Sequence, residues 1–107
     1  MEERTEENIE NNNIEEPEGE RKWTVYIHTV PKELSGYEYD KYYVGITSQK
    51  PERRWGYNGS RYDDRHPYFK NAIQKYGWNN IKHDIIKENL TKDEACIIEK
   101  NLIHELI

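Results

Sequence analysis

The chain has 107 residues, of which 35% are charged and 34% hydrophobic, and its mean hydropathy is −1.22. This length suits one domain with a modest core. The single cysteine, Cys96, excludes an internal disulfide and a multi-cysteine zinc site, and the apolar runs are far shorter than the ~20 residues of a membrane helix. The acidic N-terminus lacks the apolar segment of a signal peptide. We expect a soluble intracellular protein without membrane contact, in the cytoplasm or the nucleus.

The formal charge of −5 is divided unevenly along the chain. Residues 1–20 contain nine glutamates and one arginine, a net charge of −8, whereas residues 21–107 contain 15 Lys/Arg and 12 Asp/Glu, a net charge of +3. The first twenty residues also lack a hydrophobic period, which is typical of a disordered, solvated segment. The pattern predicts a disordered acidic leader over 1–20 and a mildly basic domain over 21–107.

Alternating side chains predict a small sheet. Residues Trp23–Val30 and Lys41–Thr47 alternate as strands do, and the segment Pro31–Asp40, which contains Pro, Ser and Gly, is typical of a hairpin loop. The same alternation predicts a third strand over Ile81–Ile86. The first two strands therefore form an antiparallel hairpin, and the third joins it later in the chain.

The second face of this hairpin collects polar aromatic residues. If the apolar positions face the core, then Tyr26, His28 and Tyr43 share the opposite face, and Gly45 leaves space beside them. Tyrosine is common in strands, so the two tyrosines also have a plain structural explanation. Their shared face favours a functional site.

Three helices are predicted from start and stop signals. A short helix begins at Pro51, which suits the first helical position, and ends near Gly56. Residues Tyr68–Tyr76 repeat apolar side chains at helical spacing and precede a glycine. Thr91 and Glu94, three residues apart, predict a capping box that opens the last helix.

The segment between the first two helices is a candidate binding surface. Residues Gly56–Pro67 are rich in Gly, Asn, Asp, Arg and Tyr, which is typical of a mobile binding loop. Five basic or aromatic residues in or near this segment are our candidates for contact with nucleic acid: Arg53, Arg61, Tyr62, Arg65 and Lys70.

Glu99 occupies an unexpected place in the last helix. In helical projection it falls inside the apolar arc, between Ile103 and Leu106. An ionised carboxylate on a core-facing stripe is costly unless it is paired or bound to a cation. Two explanations stay open: a structural salt bridge to an arginine, and a metal-binding or catalytic role.

Five features in this order resemble the GIY-YIG endonuclease domain, over Trp23–Ile107. They are Thr24-Val25-Tyr26, Tyr43-Val44-Gly45, Arg54 before Trp55, the run AIQKYGW at 72–78, and Glu99 within Ile98-Glu99-Lys100. The first tripeptide retains only the tyrosine of the family signature. Each feature alone is a weak signal, whereas five in the right order are specific.

The resemblance implies an α+β domain with a small three-stranded sheet flanked by helices, in the order β-β-α-α-β-α. It implies a divalent-metal-dependent endonuclease that cuts one strand of nucleic acid, DNA in preference to RNA. Glu99 maps onto the family's ligand for Mg²⁺ or Mn²⁺, and one carboxylate with waters and phosphate oxygens can complete such a shell. Arg54 maps onto the arginine that stabilises charge on the phosphate.

The tyrosines and their neighbours complete the catalytic set that the resemblance implies. Tyr26 and Tyr43 map onto the family's two tyrosines, and a tyrosine can take a proton from the attacking water if nearby cations lower its pKa. Lys41 stands just ahead of the second tyrosine and can assist in this. His28 shares the strand face of Tyr26 and is added to the catalytic candidates.

One position departs from the family pattern. Four residues after the arginine, where family members often carry His or Tyr, this chain has Asn58. The residues that could replace it are Tyr57, Tyr62, His66 and His28. We favour His28 because it shares a strand face with Tyr26, and we expect His83 and His104 to be structural or exposed.

The competing hypothesis is a catalytically inactive module that binds nucleic acid or protein on the same fold. Asn58 and the degenerate first tripeptide favour it, whereas the retained tyrosines, arginine and glutamate favour the nuclease. The chain ends soon after the last helix, so we expect no separate recognition domain, and weak, strongly salt-dependent binding of nucleic acid. A homodimer stays open as a route to double-strand cleavage.

Overall fold

Four strands and four α-helices make up the part of the chain that the computed structural model describes, residues 4–6 and 20–106. In chain order they are β1 Arg4–Glu6, β2 Trp23–Val30, α1 Lys32–Ser35, β3 Lys41–Thr47, α2 Pro51–Trp55, α3 Pro67–Tyr76, β4 Lys82–Leu90 and α4 Lys92–Leu106. Two short 3-10 helices cover Tyr57–Gly59 and Trp78–Asn80. The α+β class and the three antiparallel strands agree with the prediction.

The sheet is built around β2. Its strand order is β1-β3-β2-β4, and β2 pairs antiparallel with both β3 and β4. All eight residues of β2 are buried because both faces of this central strand are covered. In the register of the hairpin, Tyr26 lies opposite Gly45 and His28 lies opposite Tyr43, which confirms that these residues share one face.

One face of the sheet, which we call the α4 face, is mainly aliphatic, with Trp23 and Tyr42 at its margin. It carries Val25 and Ile27 from β2 with Val44 and Ile46 from β3, and the apolar stripe of α4 packs against them. The opposite face, which carries Tyr26, His28 and Tyr43, is covered by residues of α2, α3 and the segments next to them. We call it the aromatic face.

The helices begin where local chemistry places them. Pro51 and Pro67 stand in the first turns of α2 and α3, where a missing N–H costs nothing. The capping box at α4 forms in both directions: the Glu94 N–H donates to Thr91 Oγ1 at 3.1 Å, and the Thr91 N–H donates to Glu94 Oε1 at 2.9 Å. No helix among residues 4–6 and 20–106 is long and apolar enough to cross a membrane.

Three elements differ from the expectations. The predicted hairpin loop contains the single-turn helix α1, and β4 runs on to Leu90 through register shifts and the left-handed residue Asn89. The third difference is β1, which pairs parallel with β3 and lies within the segment expected to be a disordered leader. The rest of that leader, residues 1–3 and 7–19, is outside the described residues. Neither β1 nor the end of β4 has an alternating apolar pattern, so periodicity could not reveal them.

Candidate functional site

The aromatic face is packed tightly around Tyr26. The ring of Tyr26 is fully buried and lies over Gly45, where an added Cβ would stand 2.6 Å from Tyr26 Cζ and Oη. The ring also packs against His28 at 5.1 Å and against Trp55 at 5.5 Å between ring centroids. Glycine is therefore required at position 45 by close approach, as the sequence suggested, and its partner Tyr26 has no exposed surface.

Arg54 brings a positive charge into this layer. Its side chain is 6% exposed, and its guanidinium carbon lies 4.9 Å from the centroid of the Tyr62 ring, a cation–π contact. Its Nη2 donates to His66 Nε2 at 3.2 Å, while its Nε is buried without a hydrogen-bond partner. Within residues 20–106, no carboxylate forms an ion pair with this guanidinium. It is a buried cation whose compensating anion has to come from elsewhere.

His66 holds Arg54 from one side. Because a guanidinium only donates, His66 Nε2 is the acceptor, which places the proton of the neutral ring on Nδ1. That nitrogen lies 3.9 Å from Asp63 Oδ1. Hydrogen bonds from the Arg65 side chain and backbone lower the pKa of Asp63 to about 2, so this carboxyl is ionised at neutral pH.

His28 stands at the centre of the aromatic face. It is fully buried, and its ring stacks on Phe69 at 4.5 Å. His28 Nε2 lies 2.8 Å from Tyr62 Oη, and His28 Nδ1 lies 2.8 Å from His83 Nδ1. Burial, His83 and Arg54 together hold the pKa of His28 well below its ordinary value, so the ring is neutral at pH 7.

His83, expected to be structural or exposed, belongs to this cluster. It is half-buried, its ring stacks on Trp78 at 3.7 Å, and its Nε2 lies 2.8 Å from the Trp78 carbonyl oxygen. Burial lowers the pKa of His83, while the Trp78 carbonyl and Asp84 act in the opposite direction. His104, the other histidine set aside, is exposed on α4.

Tyr62 is buried in the cluster and does not form part of an open nucleic-acid surface, contrary to the expectation for the loop that contains it. Its ring packs edge-on against Phe69 at 4.8 Å and against His28 at 5.6 Å. The reason is that an aromatic ring gains most by leaving water, and its hydroxyl finds a partner in His28. Of the residues considered as replacements at Asn58, Tyr62 and His28 are buried together, whereas Tyr57 is exposed, as is Asn58 itself.

Tyr43 and Lys41 line an open pocket at the other end of the aromatic face. Tyr43 packs against Phe69 at 4.8 Å, and Lys41 Nζ lies 4.0 Å from the centroid of the Tyr37 ring. The pocket has a volume of about 170 Å³ and is lined by residues including Lys41, Tyr43, Tyr68 and Lys75. It adds two cations to the surface next to the buried layer.

The four basic residues predicted to contact nucleic acid fall into two groups, exposed residues and residues paired with a carboxylate. Arg53 and Arg61 are exposed. Arg65 is paired with Asp63 at 3.0 Å, and Lys70 is paired with Asp64 at 2.7 Å. Two of the four predicted basic contacts thus carry a neighbouring negative charge, which weakens their attraction for phosphate.

Glu99 approaches the sheet from the α4 face. It is 7% exposed, and residues on both sides of it in the helical stripe pack on Val25, Ile27 and Val44. The Arg54 cluster lies on the opposite, aromatic face, so the two sets of predicted catalytic residues are carried by different layers. Among residues 20–106, Glu99 is the carboxylate that is buried, and burial, followed by the charge of Glu99, raises the pKa of the Cys96 thiol.

Three large aromatic residues form a scaffold around His28 that the sequence pattern does not reveal. Trp55, Phe69 and Trp78 surround His28 within 5.4 Å of its ring centroid. Their apolar character was visible in the sequence, but their convergence on one histidine was not.

Comparison of this protein with protein-family models, with curated proteins and with solved structures gave no match.

Proposed function

We propose that this chain is a divalent-metal-dependent endonuclease that hydrolyses phosphodiester bonds of nucleic acid, with DNA as the preferred substrate. The observation that carries the proposal is Arg54, a buried guanidinium that no carboxylate of residues 20–106 compensates. The GIY-YIG resemblance supports the same function from the residue pattern.

A phosphodiester oxygen is the anion that such a cation suits. Arg54 keeps a buried N–H on Nε that has no acceptor among the described residues, and its planar fork matches two phosphate oxygens. The Tyr62 ring and His66 hold the guanidinium in place. A fixed donor in a water-poor site stabilises charge that grows on the phosphate in the transition state.

A single carboxylate is the candidate ligand for a hard divalent ion. No group of three or more His, Cys, Asp or Glu residues in the described part of the chain could hold a metal ion. Mg²⁺ nevertheless binds through one carboxylate when waters and substrate phosphates supply the other oxygens. The resemblance assigns that carboxylate to Glu99, but Glu99 lies on the α4 face and the Arg54 cluster lies on the aromatic face, so the described residues do not bring an ion at Glu99 to a phosphate held by Arg54. The metal dependence of the proposed nuclease therefore rests on the resemblance, and Mg²⁺ or Mn²⁺ would supply Lewis-acid chemistry at the phosphate.

The experiment compares two neighbouring arginines of α2. In Arg54→Gln we expect the nicking of supercoiled plasmid DNA with Mg²⁺ to fall by about 10²–10³-fold, as when one transition-state donor is lost. Arg53→Gln is the matched control, because Arg53 is exposed one residue away, and it should change nicking by a few-fold at most. A thermal melt confirms that both variants fold. Equal nicking by Arg54→Gln and the parent would refute the role of Arg54.

Burial of Tyr26 favours the second candidate, an inactive binding module. A catalytic residue has to touch its substrate, and Tyr26 has no exposed surface. A parent protein that binds a short DNA duplex in a filter or anisotropy assay, but gives equal and negligible nicking with Mg²⁺ and with EDTA, would identify the module and exclude the nuclease.

A further inference from the structure

Tyr62, His28 and His83 form a continuous chain of hydrogen bonds across the aromatic face. The chain starts at Tyr62, whose ring lies beneath the Arg54 guanidinium, and ends at the backbone carbonyl of Trp78. All three links are 2.8 Å long. It joins the interior of the candidate site to β4, a strand at the edge of the sheet.

The terminal carbonyl determines the direction of every bond. A carbonyl oxygen only accepts, so the proton of neutral His83 is on Nε2 and His83 Nδ1 is an acceptor. His28 Nδ1 then has to donate to it, because two ring nitrogens at 2.8 Å need one proton between them. Neutral His28 therefore accepts at Nε2, and the Tyr62 hydroxyl donates there. Donation runs from Tyr62 through His28 to His83.

We propose that this chain is a proton relay between the Arg54 site and the edge of the sheet, with His83 as its outer member. The relay rests on the proposed function for the reaction that it serves. A water bound beside Arg54 gives a proton to Tyr62 Oη, and Tyr62 passes its own proton to His28 Nε2. His28 passes its Nδ1 proton to His83 Nδ1. The result is a neutral Tyr62, a neutral His28 with the proton on Nε2, an imidazolium at His83 and a hydroxide at the site.

The charges around the two histidines support this direction. His28 faces the Arg54 cation from α2 and lies among Tyr26, Tyr62 and His83, so a positive charge is costly there. His83 is half-buried and stands next to the exposed Asp84, whose negative charge favours its protonation. A proton that enters the chain is therefore more stable on His83 than on His28. Exchange with solvent at the strand edge returns the relay to its starting state.

A purely structural role would need the same hydrogen bonds but no transfer, so the test separates the two. His83→Gln keeps an amide oxygen that can accept from His28 Nδ1, yet glutamine cannot carry the proton onward. His83→Phe keeps the stacking on Trp78 and removes the acceptor. The control is His104→Gln, which replaces the exposed histidine of α4.

The first readout is the ring tautomers in the full-length ¹⁵N-labelled protein, from two-bond ¹H–¹⁵N correlations. At pH 8 we expect His28 to be protonated on Nδ1 and His83 on Nε2. As the pH falls, His83 should become charged first, and the His28 proton should move to Nε2 in the same transition. A His28 ring protonated on Nε2 at pH 8, or one that ignores the titration of His83, overturns the relay.

The second readout is the pH profile of plasmid nicking. His83→Gln and His83→Phe should both lower the rate by about 10²-fold or more at neutral pH, in the range of proton-transfer catalysis, and flatten the profile, whereas His104→Gln should not. Parent-like nicking by a folded His83→Gln overturns the relay and leaves the nuclease proposal intact. A parent that never nicks DNA overturns the proposed function, while the coupled tautomer change still decides the relay.

Discussion

The two faces of the sheet bury different kinds of side chain. The α4 face is mainly aliphatic, and its neighbours in the helix are apolar except for Glu99. The aromatic face buries a cation, His28 and a tyrosine ring and half-buries His83. The two histidines bond to each other, to Tyr62 and to a backbone carbonyl. Apolar packing gives stability that is insensitive to pH, whereas a buried polar network gives chemistry at a cost in stability that depends on protonation.

The largest effect is expected from the single acid of the α4 face. Glu99→Gln keeps the shape and removes the charge that a divalent ion needs, so we expect Mg²⁺-dependent nicking to be lost while the fold is retained. If Glu99 is a salt-bridge partner instead, the substitution strands a buried cation and costs about 3–5 kcal/mol. A thermal melt beside the nicking assay separates the two, and full activity in a folded variant would end the metal role.

Gly45→Ala tests how tightly the aromatic face is packed. The added Cβ would stand 2.6 Å from the Tyr26 ring, which His28 and Trp55 hold in place, so we expect a loss of about 1–3 kcal/mol in the free energy of unfolding. Urea denaturation measures it. Because the cause is a clash, the double variant Gly45→Ala/Tyr26→Leu should recover part of the loss. Independent, additive losses would mean that the clash is not the cause.

The pH dependence of stability should come from the aromatic face. The folded-state pKa of His28 lies below the unfolded value of about 6.5, so between these values the unfolded chain binds more protons. The stabilisation is complete above pH 6.5 and falls with decreasing pH, by up to about 1.4 kcal/mol for each pH unit. Urea denaturation at pH 7, 6 and 5 measures the slope.

Two control variants show which face causes that slope. Leu90→Ala, on the α4 face, should lower the free energy of unfolding by about 2–5 kcal/mol, and this loss should be the same at each pH. His104→Gln should leave the slope unchanged because His104 is exposed. A slope that survives in His28→Phe would assign the pH dependence to other groups.

The smallest effect is expected from the acidic N-terminal segment, which contains β1, the strand that pairs with β3. Deletion of residues 1–20 should tighten binding of a short DNA duplex by a few-fold at low salt, because a net charge of −8 is removed, and the gain should vanish as salt screens it. A variant with Gln at Glu10, Glu15, Glu16 and Glu18 keeps Arg4–Glu6 and separates charge from strand pairing. Unchanged binding in both variants would contradict the electrostatic role.

Local chemistry determined much of the fold from the sequence alone. The alternation in β2 and β3 identified the face shared by Tyr26, His28 and Tyr43. Pro51 marked the start of α2, and the Thr91–Glu94 pair marked the start of α4. These features depend on neighbours within a few residues, so a periodic pattern or a capping pair is enough to reveal them.

Only the tertiary structure decided how the candidate site is assembled. Tyr62 and His83 meet His28 from 34 and 55 residues away, and the hydrogen bonds that select their tautomers exist only after the sheet and α3 have packed. The same packing buries Arg54 without a carboxylate and places Glu99 on the opposite face. A sequence shows which side chains are available, but burial and long-range pairing, which change the energy of a charge most strongly, arise from the folded arrangement.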